Sequence, residues 1–181
     1  MHYAVLFPEA KILGIEMDHD NYEICQRNMQ PFRSGCSVIQ GAVWTSEGSV
    51  GYTGTMNSAF TVSESISPEK TSRAYSMMQL LDILDRPIID FVKMDVEGAE
   101  ANLLEQAEEW VGRVRCLKVE IHEPYTVEQC LAHLERQGLH CTRDARHWAC
   151  VIAWNPLHIA GMSETRDETA HPRKSRKTFS R

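Results

Sequence analysis

No window of this 181-residue chain approaches the roughly 18 uninterrupted apolar residues that a membrane-spanning helix requires. Nothing near residue 1 joins a basic flank to a long apolar segment, so no secretory leader is read. The six cysteines (Cys25, Cys36, Cys116, Cys130, Cys141 and Cys150) form no C-x-x-C pair and no Cys/His spacing of the zinc type. They read as buried, reduced thiols, and a soluble protein of a reducing, cytoplasmic compartment is expected. There is no G-x-G-x-x-G, no Tyr-x-x-x-Lys pair and no internal repeat. A nicotinamide-dependent dehydrogenase is therefore disfavoured.

Positive charge is scarce outside the C-terminus. Residues 164–181 hold six Lys/Arg and three Asp/Glu of totals of 19 and 25. The rest of the chain keeps 13 basic against 22 acidic side chains, a net of −9. Such a body repels phosphate backbones, so no nucleic-acid partner is expected. The polar end, "HPRKSRKTFSR", reads as a disordered tail over 157–181, beyond a single domain over 1–156. A hydrophobic content of 43% suffices for that domain's core.

What the chain has is an alternation of strand and helix signals. "KILGIE" (11–16) reads as a strand closed by an acid. Asp18 or Asp20 can cap a helix over 21–29, where Tyr22, Cys25 and Met29 share one face. "CSVIQGAV" (36–43) is the next strand, and the Gly/Ser/Thr-rich residues 45–65 suggest a loop-and-hairpin insert. A short helix over 77–84 ends at Pro87. Residues 88–95 are apolar enough for a strand buried on both faces. The helix after it, 99–111, puts Ala99, Leu103, Leu104, Ala107, Trp110 and Val111 on one side. A strand at 117–122 follows. Thr126 and Gln129 make a capping box for a helix to Gln137, with Gly138 at its C-terminal cap. Strands at 139–143 and 148–154 are joined only by "DARH", too short for a helical crossover, so they must run antiparallel.

This order implies a three-layer, Rossmann-like α/β sheet, mostly parallel, with a C-terminal antiparallel hairpin. Open sheets of this kind bind ligands beyond the carboxyl ends of their strands. Glu16, Asp95, Glu97 and His122 each close or follow a strand, so the rule sets them on one rim.

"IDFVKMDVEGAE", an amphipathic helix and then "LKVEIH" resemble the core signature of the FkbM family of S-adenosylmethionine-dependent methyltransferases. "AKILGIEMDHDNYEICQRNM" is similar to that family's second strand and following helix, and "GAVWTSEG" to its third-strand segment. The likeness runs from about Phe7 to Trp154. It implies a methyltransferase sheet that is N-terminally truncated here, because the family's first strand and Gly-rich loop have no counterpart. Residues 1–8 look like the end of the helix after that loop. The absent strand would be central, between those at 11–16 and 88–95.

The resemblance implies S-adenosyl-L-methionine as cofactor and a hydroxyl on a small-molecule, sugar or lipid-like acceptor as target. Glu16 would accept the ribose hydroxyls, or be a solvated strand-end acid. The adenine would lie near Ala42 and Val43, with Trp44 either stacking on it or packing in the core. Asp95 is the best-placed base or acceptor orienter and His122 its rival. Glu97 would bind substrate hydroxyls or complement a helix dipole, and Glu100 leans to the dipole. Lys93, two residues before Asp95 on the same strand face, should pair with a carboxylate such as Glu120. Gly98 is read as a tight passage that a side chain would obstruct. Asp95, Glu97 and Glu123 are the acids at hand for a metal, but no His/carboxylate spacing supports one, and none is assigned. A non-catalytic remnant that cannot hold the cofactor is the alternative. Oligomeric state and acceptor identity have no signal.

Overall fold

A computed structural model describes residues 2–32, 34–53, 61–63 and 70–158. The tail expected at 157–181 lies almost wholly outside them. The short helix α1 (His2–Leu6) precedes β1 (Ile12–Glu16). Asp18 caps α2 (His19–Met29) by accepting from the Asp20 and Asn21 amides. Tyr22, Cys25 and Met29 are its half-buried stripe. Strands β2 (Cys36–Gln40) and β3 (Ala42–Val43) follow. The insert supplies β4 (Gly48–Thr53), β5 (Thr61–Ser63) and β6 (Lys70–Tyr75).

Helix α3 (Met77–Ile83) opens on a Ser76/Gln79 capping box. It leads to β7 (Ile89–Met94) and α4 (Glu100–Glu105). The helix expected over 99–111 stops at Glu105, and two single 3-10 turns carry on from it. Its apolar stripe still holds, since Ala99, Leu103, Leu104, Ala107, Trp110 and Val111 are all buried. Strand β8 (Val114–Glu120) precedes α5 (Val127–Arg136), which begins on the expected Thr126/Gln129 box. Gly138 ends that region at φ +80°. The chain closes with β9 (His140–Arg143) and β10 (Cys150–Trp154).

Strand pairing divides what the sequence suggested as one sheet into three groups among the described residues. The main one has the order β7-β8-β10-β9, with β7 and β8 parallel and β10 antiparallel to both its neighbours. The expected terminal hairpin is there, and β10 also inserts its other edge against β8. A second group is the parallel pair β1-β2. The third, β3-β6-β4-β5, absorbs the insert. Gly41 makes that switch possible: its amide bonds to the Glu16 carbonyl at 2.9 Å. A Cβ there would meet the Tyr75 ring at 2.5 Å and the Arg73 carbonyl at 2.9 Å. Only glycine lets β3 leave β2 and press onto β6.

Strands β1 and β7 each carry one edge with no strand beside it among the described residues. The expectation that 88–95 is buried on both faces fails for this reason. Ile89 and Met94 are buried, but Asp90, Phe91 and Lys93 are exposed. The Tyr3 ring of α1 leans on Phe91, centroids 5.4 Å apart, as partial cover.

The core lies under β8, β10, α4 and α5, where Leu104, Leu117, Leu134, Val119 and Val151 are fully buried. Each is worth roughly 1.5–3 kcal/mol of apolar burial. All six cysteines are free, but only Cys130 and Cys150 are buried and the other four are half-buried. No described helix is long and apolar enough to cross a membrane.

Candidate functional site

Parallel pairing of β7 with β8 sets their C-terminal ends side by side, about 4.8 Å apart. Asp95 directly follows β7, and His122 stands two residues beyond β8. The chain between β7 and α4 makes a tight turn in which Glu97 (φ +52°) and Gly98 (φ +103°) both take left-handed backbone. For Gly98 the φ is the constraint. A Cβ there would touch nothing within 4 Å, so the expected steric obstruction is absent.

Glu100 holds this turn from behind. Its carboxylate is completely buried and accepts from the Val96 amide at 3.3 Å and the Gly98 amide at 3.0 Å. The same group meets His122 Nδ1 at 2.8 Å. The helix-dipole role read from sequence is thus secondary: Glu100 ties the β7 turn to the end of β8. With Nδ1 donating to that carboxylate, His122 turns Nε2 towards Glu97 Oε2 (3.3 Å) and Asp95 Oδ1 (3.9 Å). The other Asp95 oxygen is taken by Lys93 Nζ at 2.5 Å, and Lys93 also reaches Glu120 at 3.2 Å. Lys93 pairs as the spacing predicted, and with both acids.

Four carboxylates, Asp95, Glu97, Glu100 and Glu120, therefore surround one lysine and one histidine. Burial lowers the His122 pKa, but the Glu100 hydrogen bond and the charges of Glu100, Glu97 and Asp95 outweigh it and raise it overall. Burial pushes the Glu97 carboxyl up, and its acidic neighbours add to this against the opposing pull of His122. For Lys93, burial is likewise outweighed by Asp95 and Glu120, so its pKa rises. Asp95, Glu97 and His122 each present a ligand atom within 4.8 Å of the other two, a geometry able to hold a metal ion. His122 stands in this set in place of the Glu123 offered by the sequence. The strand-end rule sets His122 on this rim with Asp95 and Glu97, and the parallel pairing of β7 with β8 brings it within ligand distance.

The cofactor half expected from sequence is built on other elements, β1 and β3. Glu16 ends β1 half-buried and accepts the Asp18 amide through Oε1 at 2.8 Å. Burial raises its pKa, opposed by the Asp18 backbone bond and reinforced by the Asp18 charge. Asp18 is committed elsewhere, to its cap and to Lys70 at 3.1 Å. Ala42 and Val43 are buried, Val43 in the main core cluster and Ala42 in a smaller one with Val50 and Ala74. Trp44 is half-buried, packs against that core, and donates its amide to the Tyr75 carbonyl.

Of the other histidines, His19 sits near Glu23 (3.6 Å) and His140 stacks on Trp154. His147 approaches Glu120 at 3.8 Å, a position at the margin of the cluster that sequence reasoning missed.

Residues 1–148 match the family model described as the methyltransferase FkbM domain. No curated protein matches the sequence. Among solved structures, the chain resembles the methyltransferase FkbM from Methylobacillus flagellatus KT, with a TM-score of 0.54 and 17% identity. That match covers 80% of this chain and 36% of the other. It also resembles the METTL16 MTase domain (TM-score 0.51, 14% identity, covering 84% of this chain and 53% of that one). At these identities the likeness is one of fold. The chain spans about a third and a half, respectively, of these two structures.

Proposed function

Because the chain belongs to the FkbM methyltransferase family, we propose that its domain methylates a hydroxyl of a small-molecule, sugar or lipid-like acceptor, using S-adenosyl-L-methionine. The observation that carries this reading is the convergence of Asp95, Glu97 and His122 where β7 and β8 end side by side. Bound there, the cofactor would supply a methyl group on a positively charged sulfur.

The residues present fit that group in part. Glu16 accepts the Asp18 amide through Oε1, and its Oε2 is the oxygen offered to the cofactor. That oxygen suits a ribose hydroxyl, at roughly 1.5–3 kcal/mol for a bond to a charged acceptor. Ala42 and Val43, at the end of β3, and the half-buried Trp44 ring would line the adenine. Around the acceptor, Lys93 fixes Asp95 so that one carboxylate oxygen remains to orient a hydroxyl. His122, with Nδ1 tied to Glu100, keeps Nε2 for that hydroxyl's proton, and the flanking carboxylates stabilise the imidazolium that results. Geometry thus favours His122 over Asp95 as proton acceptor.

Titration of the chain with S-adenosylmethionine by calorimetry tests the reading. A Kd tighter than about 100 μM, roughly −5.5 kcal/mol, is expected. Glu16→Gln should weaken it at least tenfold, whereas Asp95→Asn should stay within a few-fold while abolishing turnover. Absence of binding at millimolar cofactor would favour the second reading, a methyltransferase-fold remnant. The open edges of β1 and β7 are the feature that favours it.

A further inference from the structure

The cluster at the ends of β7 and β8 is more than a set of acids. It mixes one imidazole nitrogen with two carboxylate oxygens, and each is held by a different device. Asp95 is held by Lys93 through the oxygen that faces away from His122. Glu97 is set by its left-handed backbone. His122 is fixed through Nδ1 by a carboxylate that is itself fully buried and anchored by two backbone amides. A histidine whose second nitrogen is tied to a buried carboxylate is the arrangement found behind metal-ligating imidazoles, where it fixes the ring and strengthens the free nitrogen as a donor.

The spacings agree with this. Donors that share an ion at about 2.0–2.2 Å stand roughly 3–4.4 Å from one another. His122 Nε2 is 3.3 Å from Glu97 Oε2 and 3.9 Å from Asp95 Oδ1, and all three donors lie within 4.8 Å. Charge points the same way: with His122 neutral, four carboxylates face Lys93 alone, an excess of three negative charges at one spot.

We propose that Asp95 Oδ1, Glu97 Oε2 and His122 Nε2 form a divalent-cation site whose remaining positions receive the acceptor's hydroxyl oxygen. Two hard oxygens and one imidazole suit Mg²⁺, Mn²⁺ or Zn²⁺. The site stands on its own geometry; the use of its open positions rests on the methyl-transfer reading. The cation changes the task of His122 from taking a proton to holding an ion. A hydroxyl that replaces a water on the ion is acidified and gives its proton to solvent, leaving the negative charge on the acceptor oxygen.

The probe is Mn²⁺, which prefers oxygen and imidazole to the chain's six thiols, with free ion read by electron paramagnetic resonance. One Mn²⁺ should bind the 181-residue chain with a Kd below about 100 μM, tightening as pH rises because bound His122 must be unprotonated. Asp95→Asn, Glu97→Gln and His122→Ala should each weaken it at least tenfold. Glu100→Gln should weaken it about 10–100-fold through the imidazole alone. Circular dichroism screens each variant for folding, and the half-exposed Glu97 is the one least able to unfold the chain. Binding no tighter than about 1 mM, or binding unchanged in Asp95→Asn and Glu97→Gln, would overturn the site. Calorimetry with S-adenosylmethionine separates the two readings. Cofactor binding without Mn²⁺ binding sinks only the cation site, and Mn²⁺ binding without cofactor binding sinks only the methyl-transfer reading.

Discussion

Strand β8, next to the strand that delivers Asp95, rests on Leu104, Leu117, Leu134 and Val151, none of which reaches solvent, whereas every residue of β1, which delivers Glu16, is only half-buried. Around Asp95 a lysine, a histidine and three further acids interlock, whereas Glu16 is held by backbone amides, its carboxylate by that of Asp18 and its carbonyl by that of Gly41. The first region is a preorganised site whose side chains have each lost their freedom already. The second is a parallel two-stranded pair whose Leu13, Ile15 and Ile39 are only partly buried against the core. Affinity for a bound nucleoside would be limited by the second region and chemistry set by the first.

The contrast can be broken by measurement. Leu117→Ala should cost about 2–5 kcal/mol in urea unfolding, while Ile15→Ala on β1 should cost less than half as much. Equal losses would show that β1 is as firmly integrated as β8. Gly41→Ala, which forces the Tyr75 ring aside, should cost about 1–3 kcal/mol. A neutral result would mean that β3 can leave β2 without glycine. Gly98→Ala should cost about 1–2 kcal/mol through its φ of +103° alone. A larger loss would reveal a close neighbour at the turn.

The smallest effect concerns pH. The folded pKa of His122 lies above its ordinary value of 6.5, so its contribution is complete below about pH 6.5 and fades as pH rises through the raised value. The ring is partly solvated, which holds the effect under about 1 kcal/mol. Proton NMR should show the His122 ring titrating above 6.5, and Glu100→Gln should move it down. A ring that titrates at or below 6.5 in the folded chain would remove the carboxylates from any hold on it.

Much of this was legible from local pattern. The caps at Asp18 and Thr126 follow from side chains reaching amides within three residues. The β9–β10 reversal follows from a link too short to cross a sheet. Lys93 finds its acids because strand periodicity places it beside Asp95. The errors share a different origin. The obstruction at Gly98 and the two-faced burial of β7 both depend on what packs nearby, which residue order does not encode.

Short-range chemistry written into the chain settled the elements, their caps, the family and the choice of carboxylates near strand ends, because hydrogen bonding and periodicity act over a few residues. Only the three-dimensional arrangement decided that Glu100 should clasp His122 and that His122, rather than Glu123, should stand within ligand distance of Asp95 and Glu97. Those outcomes depend on which strands pair and which faces bury, and such choices minimise the free energy of the whole chain rather than of any segment.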